Sequence, residues 1–576
     1  MPLIQKTLLF IFIFSLPIQK RITLFTLSQN HFNEWSTAYL YVNDIIFLML
    51  LISVIIPFII KKITHRAQLI AHPSLSREAG MARAQRPSSR LQYLFVFQLF
   101  FIFLLLSNFD HYFWSLHNGA LLFWLTSSLA YFFTPSLARG GAQPLITSKQ
   151  IRQNQKKYSN FLRFIIHNLQ KIKNSVYFIT KYIVCLKQTT IIHQKKINPV
   201  LFIQIIILLY YFLCLFIQDN SFKNYQIYST LRLALYFTFF WAAIYFLKKY
   251  QKTILYSFLC SSFFQSIVAI LQFAQQKSLG LKILAESPLN LASIGIAKIN
   301  INNIPIIRSY GTVGHPNILS AYLLVSLIII FYLIYSSSSI SQPHSKQSRA
   351  VDWIKEYSLI FIGLINLSAL FFTFSRIAYL TLSLIMVSCF LFFKKLSNAF
   401  KKNLIIISIF IFLIIILNFK ILAQRFSLNQ NIKKNTTEIF KVEKSPQEYS
   451  SASKNSALKK IAQNSKTDFC FLISQEKTVC FSQTINPKNP QLVFRLKGIQ
   501  IAFNIIKTHP FFGKGHGLFV LKMQNYFPAN LDQWELQPAH NLFLLQSAES
   551  GLAGFVLLNF LTLQIFKPWR IFKYKK

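Results

Sequence analysis

The chain has 576 residues, of which 53% are hydrophobic and only 13% charged, about half the roughly 25% usual in soluble domains. Its 61 Lys and Arg stand against 16 Asp and Glu, a formal charge of +45. Such a balance, with 60 Phe and 6 Cys, excludes disordered, collagen-like and disulfide-scaffold classes, and the long apolar runs make the bilayer the expected solvent.

The apolar runs predict an all-α polytopic membrane protein of about 12 transmembrane helices. They fall at 3–18, 43–60, 92–108, 119–135, 199–217, 230–247, 253–274, 317–335, 357–374, 377–393, 404–418 and 541–566. The first, LLFIFIFSLPI, has signal-peptide length, but QKR follows it instead of a small-x-small cleavage site, so it reads as a short retained span. Alternate connections differ in charge. One side holds 35 of the basic residues and the other 26, of which 17 lie in a single long loop, 419–540. Long loops cross regardless of charge, so both termini are expected in the cytoplasm of a multi-pass plasma-membrane protein. The basicity is then a topology signal, and with no reader motif beside it no nucleic-acid partner is expected.

Three organisational units follow. Residues 1–418 carry the first eleven spans and two basic cytoplasmic loops, 61–91 and 136–198. The first loop is polar and reads as flexible. The second has twelve Lys and Arg and no acid, with an apolar stripe from Leu162 to Leu186 at helical spacing, suited to lie on anionic membrane lipids or to pack as a cytoplasmic helix. Residues 419–540 are expected to form a large extracytoplasmic loop, variable or partly disordered over 428–490 and motif-bearing over 491–540. Residues 541–576 are the last span and a basic tail. Cys470 and Cys480 would face the oxidising side, where a local disulfide is expected. No Cys/His spacing reads as a metal site.

Residues with chemistry gather at the outer ends of helices. In RSYGTVGHPN, Arg308 precedes a turn containing Gly311 and Gly314, and His315, Pro316 and Asn317 open a helix. Such a turn exposes backbone N–H groups to an anion, while His315 and Asn317 serve equally as caps. In FSR, Ser375 and Arg376 form nearly the whole connection between two spans, where a guanidinium snorkels or meets an anion. Arg495 lies on an amphipathic segment that ends at Gly513, Gly515 and Gly517, a tight turn rather than a nucleotide loop because the GK[ST] ending is missing. His540 and Asn541 open the last span, nine residues ahead of Gly551-x-x-Gly554. An imidazole there suits general-base work or helix capping.

Taken together, R-S-Y-G-T-V-G-H-P-N, F-S-R, H-P-F-F-G-K-G and A-H-N-x9-G-L-A-G resemble the O-antigen ligase and O-antigen polymerase superfamily, polytopic glycan transferases of the GT-C type. The resemblance covers roughly 300–376 and 491–560, and no counterpart for 136–198 or 428–490 is apparent. It implies transfer of a glycan from a polyprenyl-diphosphate carrier to an acceptor hydroxyl on the extracytoplasmic face, with inversion and without a metal, nucleotide sugar or other cofactor. The acceptor is a lipid-glycan in ligases and the growing glycan in polymerases. It further implies His540 as the base, and Arg308 and Arg376, with Arg495 as a third member, as the diphosphate clamp. Asn317, Asn541, Gly551 and Gly554 would support them, and Glu549 or His516 would be the next candidates for the base. Arginine suits a diphosphate because its fork stays charged and binds bidentately. Two rivals are a transporter of the same lipid-linked glycans, which needs charged or broken helices near the midplane, and a non-enzymatic envelope assembly factor. The spans as read contain little of the former, and the convergent Arg/His set argues against the latter.

Overall fold

In hydrocarbon every backbone polar group must be satisfied within the chain, so apolar runs of this length close into helices. The computed structural model describes residues 2–27, 37–71, 95–96, 98–99, 117–133, 198–218, 222–293, 295–301, 304–338, 346–391, 398–417, 468–472, 478–482, 490–526 and 536–566. The helices are α1 (Pro2–Ser15), α2 (Val42–Ala71), α3 (His117–Phe133), α4 (Pro199–Ile217), α5 (Lys223–Gln275) and α6 (Pro316–Ser338). They continue with α7 (Lys346–Phe372), α8 (Arg376–Leu391), α9 (Asn398–Leu417), α10 (Pro490–Thr508), α11 (Phe519–Lys522) and α12 (Leu542–Phe566). Among the described residues, α4, α5, α12, Pro316–Ser336 of α6 and Ile354–Phe372 of α7 are long and apolar enough to cross a membrane. Pro2–Ser15, Val42–Pro57, Gly119–Phe133 and Arg376–Leu391 are shorter apolar helices.

The two spans read at 230–247 and 253–274 form one helical run, α5, interrupted at Tyr250 (φ −134°, ψ 39°). Contacts with α1 show that the run folds back there. Gln5 meets Lys249 and Tyr250 near the break, at 3.0 Å each. Further along α1, Phe12 packs on Phe239 and Phe14 packs on Phe264, so residues on either side of Tyr250 lie at the same level. A straight run of 53 residues would reach about 80 Å, far beyond one crossing.

At the centre is α6, whose residues from Ile318 to Tyr332 are buried on every side. It packs against α5, α7, α8, α9 and α3. A polar knot locks it: Ser262 and Ser326 hydroxyls lie 2.7 Å apart, Asn366 Nδ2 donates to Ser326 Oγ at 2.8 Å, and Ser266 donates to Asn366 Oδ1 at 2.7 Å. Small hydroxyl and amide side chains at such positions let helices approach closely and bond across the interface.

Three features differ from the sequence reading. Antiparallel hairpins interrupt the expected all-helical chain: β1 (Arg21–Thr26) with β2 (Thr37–Tyr41), β3 (Lys298–Ile301) with β4 (Ile304–Ile307), and β5 (Asp468–Leu472) with β6 (Thr478–Ser482). Runs of membrane-spanning length do not reveal them because each strand has only four to six residues. The register of the third sets Cys470 opposite Cys480. Second, α2 runs past Pro57 to Ala71, so the first eleven residues of the loop read at 61–91 are helical. Third, α12 is broken at Gly551. The span read at 92–108 lies outside the described residues except at 95–96 and 98–99, as do residues 136–197, 567–576 and all of 428–489 but β5 and β6.

Candidate active site

The β3–β4 hairpin delivers the chain to Arg308, whose side chain is 7% exposed. Its Nε donates to Thr373 O at 2.6 Å and its Nη2 donates to Asn317 Oδ1 at 2.8 Å. One guanidinium thereby ties the start of α6 to the turn between α7 and α8. The Gly311 turn is not the open anion nest its sequence suggested. Gln272 Oε1 accepts from the N–H groups of Tyr310 and Gly311, at 3.1 and 2.8 Å, and Gln265 Oε1 accepts from Thr312 at 2.8 Å. Gly311 has φ +63°, and a Cβ there would stand 2.6 Å from the Gln265 oxygen. His315 Nδ1 accepts from Asn317 N at 3.2 Å, the capping role considered for it.

The turn after α7 carries Phe374 at φ +48°, an uncommon conformation for a bulky side chain. Its neighbours hold it: the ring is buried, Ser309 N donates to Phe372 O at 3.0 Å, and Arg308 binds Thr373 O. The next residues, Ser375 and Arg376, open α8, with Ser375 buried and Arg376 exposed. Arg376 lies close enough to Arg495, on α10, to feel its charge. Among the described residues no carboxylate pairs with either. One turn beyond Arg495, Gly498 faces Ala539, whose Cα would lie 3.7 Å from a Cβ at that glycine. Ala539 is followed by half-buried His540, and Asn541 caps α12 by accepting from Leu544 N at 3.0 Å. Arg308 thus meets the turn that leads into Arg376, and the helix that carries Arg495 passes against the residue before His540.

The break in α12 explains the glycines. Gly551 has φ +65° and ψ −177°, a region open essentially to glycine alone. The 510–515 loop takes up the groups that the break releases. Lys514 N donates to Ala548 O and Gly515 N to Glu549 O, both at 2.9 Å, while Leu552 N donates to Pro510 O at 2.8 Å. Tyr210, on α4, donates to Ser550 O at 2.5 Å. A Cβ at Gly551 would stand 2.2 Å from Phe511 O, and one at Gly513 would stand 2.4 Å from Glu549 O. Gly554 lies against Ser550 and Tyr210 in the same way. Gly513 and Gly515 therefore seat the loop on a broken helix, as broken spans require when other protein groups replace the lost bonds. On the same loop, His509 Nε2 accepts from Tyr526 Oη at 3.0 Å and from Lys514 Nζ at 3.3 Å. Partial burial and the Lys514 charge hold that imidazole below its usual range.

A second polar group lies elsewhere. Arg232 donates from Nη1 to Asp44 Oδ2 at 3.1 Å, from Nε to Tyr228 Oη at 2.9 Å and from Nη2 to Tyr39 O at 3.0 Å. Its Nη1 is also 3.0 Å from His117 Nδ1. Because arginine only donates, that nitrogen accepts, which places the proton of a neutral His117 on Nε2, 3.6 Å from Asp44 Oδ1. Across a neighbouring cavity, His516 Nδ1 is 3.5 Å from Glu549 Oε2.

The family model described as O-antigen ligase matches residues 361–558, about a third of the chain. Over that segment the chain is similar to the O-antigen ligase family. Neither the curated proteins nor the solved structures contain a match. The matched segment takes in Arg376, Arg495, His540, Asn541, Gly551 and Gly554, and leaves Arg308 and Asn317 before its start.

Sequence reasoning missed the Asp44–Arg232–His117 group. A usable signal was present: with only 16 acids in the chain, Asp44 at the start of VNDIIFLMLL and Arg232 within LRLALYFTFF are ionisable residues set in apolar runs, where a partner is the default expectation. The break at Gly551 and this buried pair also remove the argument that the spans are free of such features.

Proposed function

We propose that this protein is a membrane glycosyltransferase that moves a glycan from a polyprenyl-diphosphate carrier to an acceptor hydroxyl, with inversion and without a metal. The observation that carries the reading is that Arg376 and Arg495, on α8 and α10, lie within reach of each other's charge and have no carboxylate partner among the described residues, inside the segment matched by the O-antigen ligase model. Like charges held together favour an anion between them, and a diphosphate leaving group offers charge for both forks. Arg308, bonded at Nε and Nη2, positions the turn that presents Arg376 and adds a buried positive charge behind it.

His540 is the general base in this reading. Neutral imidazole takes the acceptor's hydroxyl proton while the sugar–oxygen bond to the diphosphate breaks and the new glycosidic bond forms on the opposite face. The arginines stabilise the charge developing on the departing diphosphate, electrostatic help that is strongest where water is excluded. Asn541 fixes the start of α12 and with it the approach of His540.

The same chemistry serves a ligase or a polymerase, which differ only in the acceptor. Deleting the gene and isolating the lipid-linked species that accumulates separates them: full-length glycan on the carrier marks a ligase, and single repeat units mark a polymerase. The break in α12 and the buried Asp44–Arg232 pair are features that would suit a lipid-linked glycan transporter instead. However, the freed groups of Ala548, Glu549, Ser550 and Leu552 are bonded to the 510–515 loop and Tyr210 rather than turned toward a pathway. A purified, reconstituted protein that forms the glycosidic bond from lipid-linked donor supports the transferase. Movement of donor across the bilayer without bond formation would overturn it. The active site is taken to lie on the extracytoplasmic face, with both termini inside.

A further inference from the structure

A cavity of about 120 Å³ opens between the β1–β2 hairpin, α3, α5, α12 and the turn around Gly517. Neither Arg308, Arg376, Arg495 nor His540 lines it. At roughly 10–15 Å³ of such space per water, it has room for on the order of ten waters, enough for a sugar ring. We propose that it is a subsite for one uncharged sugar ring of a glycan substrate, with Glu549 as the hydroxyl-binding group; the proposal rests on the transferase reading only for where that sugar comes from.

The charges argue for a neutral ligand. Arg232 is the cation of the lining, and its guanidinium is committed to Asp44, Tyr228, Tyr39 and His117, which leaves little for a phosphate. Asp44 behind it and Glu549 in the wall would repel an anion. Glu549 has acceptor capacity to spare: it is 6% exposed, and its recorded contacts, 3.4 Å from Phe519 N and 3.5 Å from His516 Nδ1, are long for hydrogen bonds. An ionised carboxylate offers about four lone-pair positions and suits hydroxyl donors. Much of the remaining wall is tyrosine, with Tyr39, Tyr41, Tyr225, Tyr228 and Tyr236. Tyrosine combines an apolar body with a polar tip, which matches a sugar ring's C–H faces and hydroxyl rim. The loop also fixes the Glu549 backbone, since Gly515 N holds its carbonyl. From Asn541 to Glu549 the helix climbs about 12 Å, so a glycan reacting at His540 could extend a short oligosaccharide's length to reach the cavity.

Saturation-transfer NMR on the detergent-purified full chain tests this, with neutral methyl glycosides of common hexoses, deoxyhexoses and N-acetylhexosamines as probes and inorganic pyrophosphate as the anionic competitor. At least one glycoside is expected to bind. Ala120→Phe, which fills the cavity from α3, should abolish the signal, and Glu549→Gln, which keeps the shape and needs no repacking, should weaken it. Pyrophosphate should not displace the glycoside, and His540→Ala should leave binding intact. Absence of binding by every glycoside, binding that survives both Ala120→Phe and Glu549→Gln, or displacement by pyrophosphate would overturn the proposal. Parent-level turnover by His540→Ala would instead refute the proposed mechanism and leave the subsite standing. In the transfer assay, the bound glycoside should raise the apparent KM for the acceptor if the ring belongs to the acceptor, and for the donor if it belongs to the donor.

Discussion

Gly515 donates its N–H to the carbonyl of Glu549 at 2.9 Å, two residues before α12 breaks at Gly551. The loop and the helix fit only because glycine stands on both sides. Gly513 cannot gain a Cβ without striking the Glu549 carbonyl, nor Gly551 without striking Phe511.

Gly551→Ala is therefore expected to cost more than the roughly 1–3 kcal/mol that such a sparsely populated backbone conformation alone imposes. The backbone clash cannot be relieved by rotating a side chain. Membrane abundance and thermal unfolding in detergent check this. Wild-type stability in the alanine variant would mean that α12 closes without the break.

The buried pair gives a second prediction. Asp44→Asn leaves the Arg232 guanidinium buried without its counter-charge, which should destabilise by about 3–5 kcal/mol. Replacing both, as in Asp44→Asn with Arg232→Met, should recover much of that loss because no charge is then stranded. Thermal unfolding of the three proteins gives the comparison. Equal stability of the single and double variants would refute the pairing argument.

Acid should loosen the loop that seats α12. His509 is held below the usual imidazole value of 6.5 by burial and by Lys514, so the unfolded loop binds its proton more readily than the folded one. The stability that this adds is complete above pH 6.5 and is lost as pH falls through the lower folded value. Hydrogen exchange over residues 509–515 should accelerate through that window, and His509→Asn should flatten the response. An unchanged pH profile in the variant would remove His509 as the cause.

The spans were legible because apolar length is a strong signal: 199–217 and 541–566 were read almost to the residue, against Pro199–Ile217 and Leu542–Phe566. The glycines of 513–517 were recognised as a turn, but its partner was not, since the packing of that loop on Gly551 spans 38 positions of sequence. The Gly311 turn was misread for the same reason. Gln265 and Gln272, which occupy its N–H groups, sit on the distant α5. The hairpins escaped because four to six residues carry too little periodicity to read. Asp44 and Arg232, 188 positions apart, come together only through the fold.

For the clamp, Arg376→Ala should lose on the order of 2–5 kcal/mol of transition-state stabilisation, the range for removing one partner of a desolvated charged contact. Arg376→Lys should restore part of it, because a point charge replaces the attraction and not the fork. Arg308→Ala should lower activity and also loosen the 373–375 turn. The kcat/KM of each variant at matched abundance decides, and wild-type turnover in Arg376→Ala would remove that residue from the site.

The central claim is that His540 takes the acceptor's proton, and the most direct measurement is turnover of purified lipid-linked donor by His540→Ala. Loss of the base should slow transfer by about 10²–10⁴-fold. Donor binding should persist, because the arginines remain in place. If the imidazole only helped to order the start of α12, the change would cost about 1 kcal/mol of stability and little activity. Slow transfer with intact donor binding is the result this account predicts; transfer at the parent rate would contradict it.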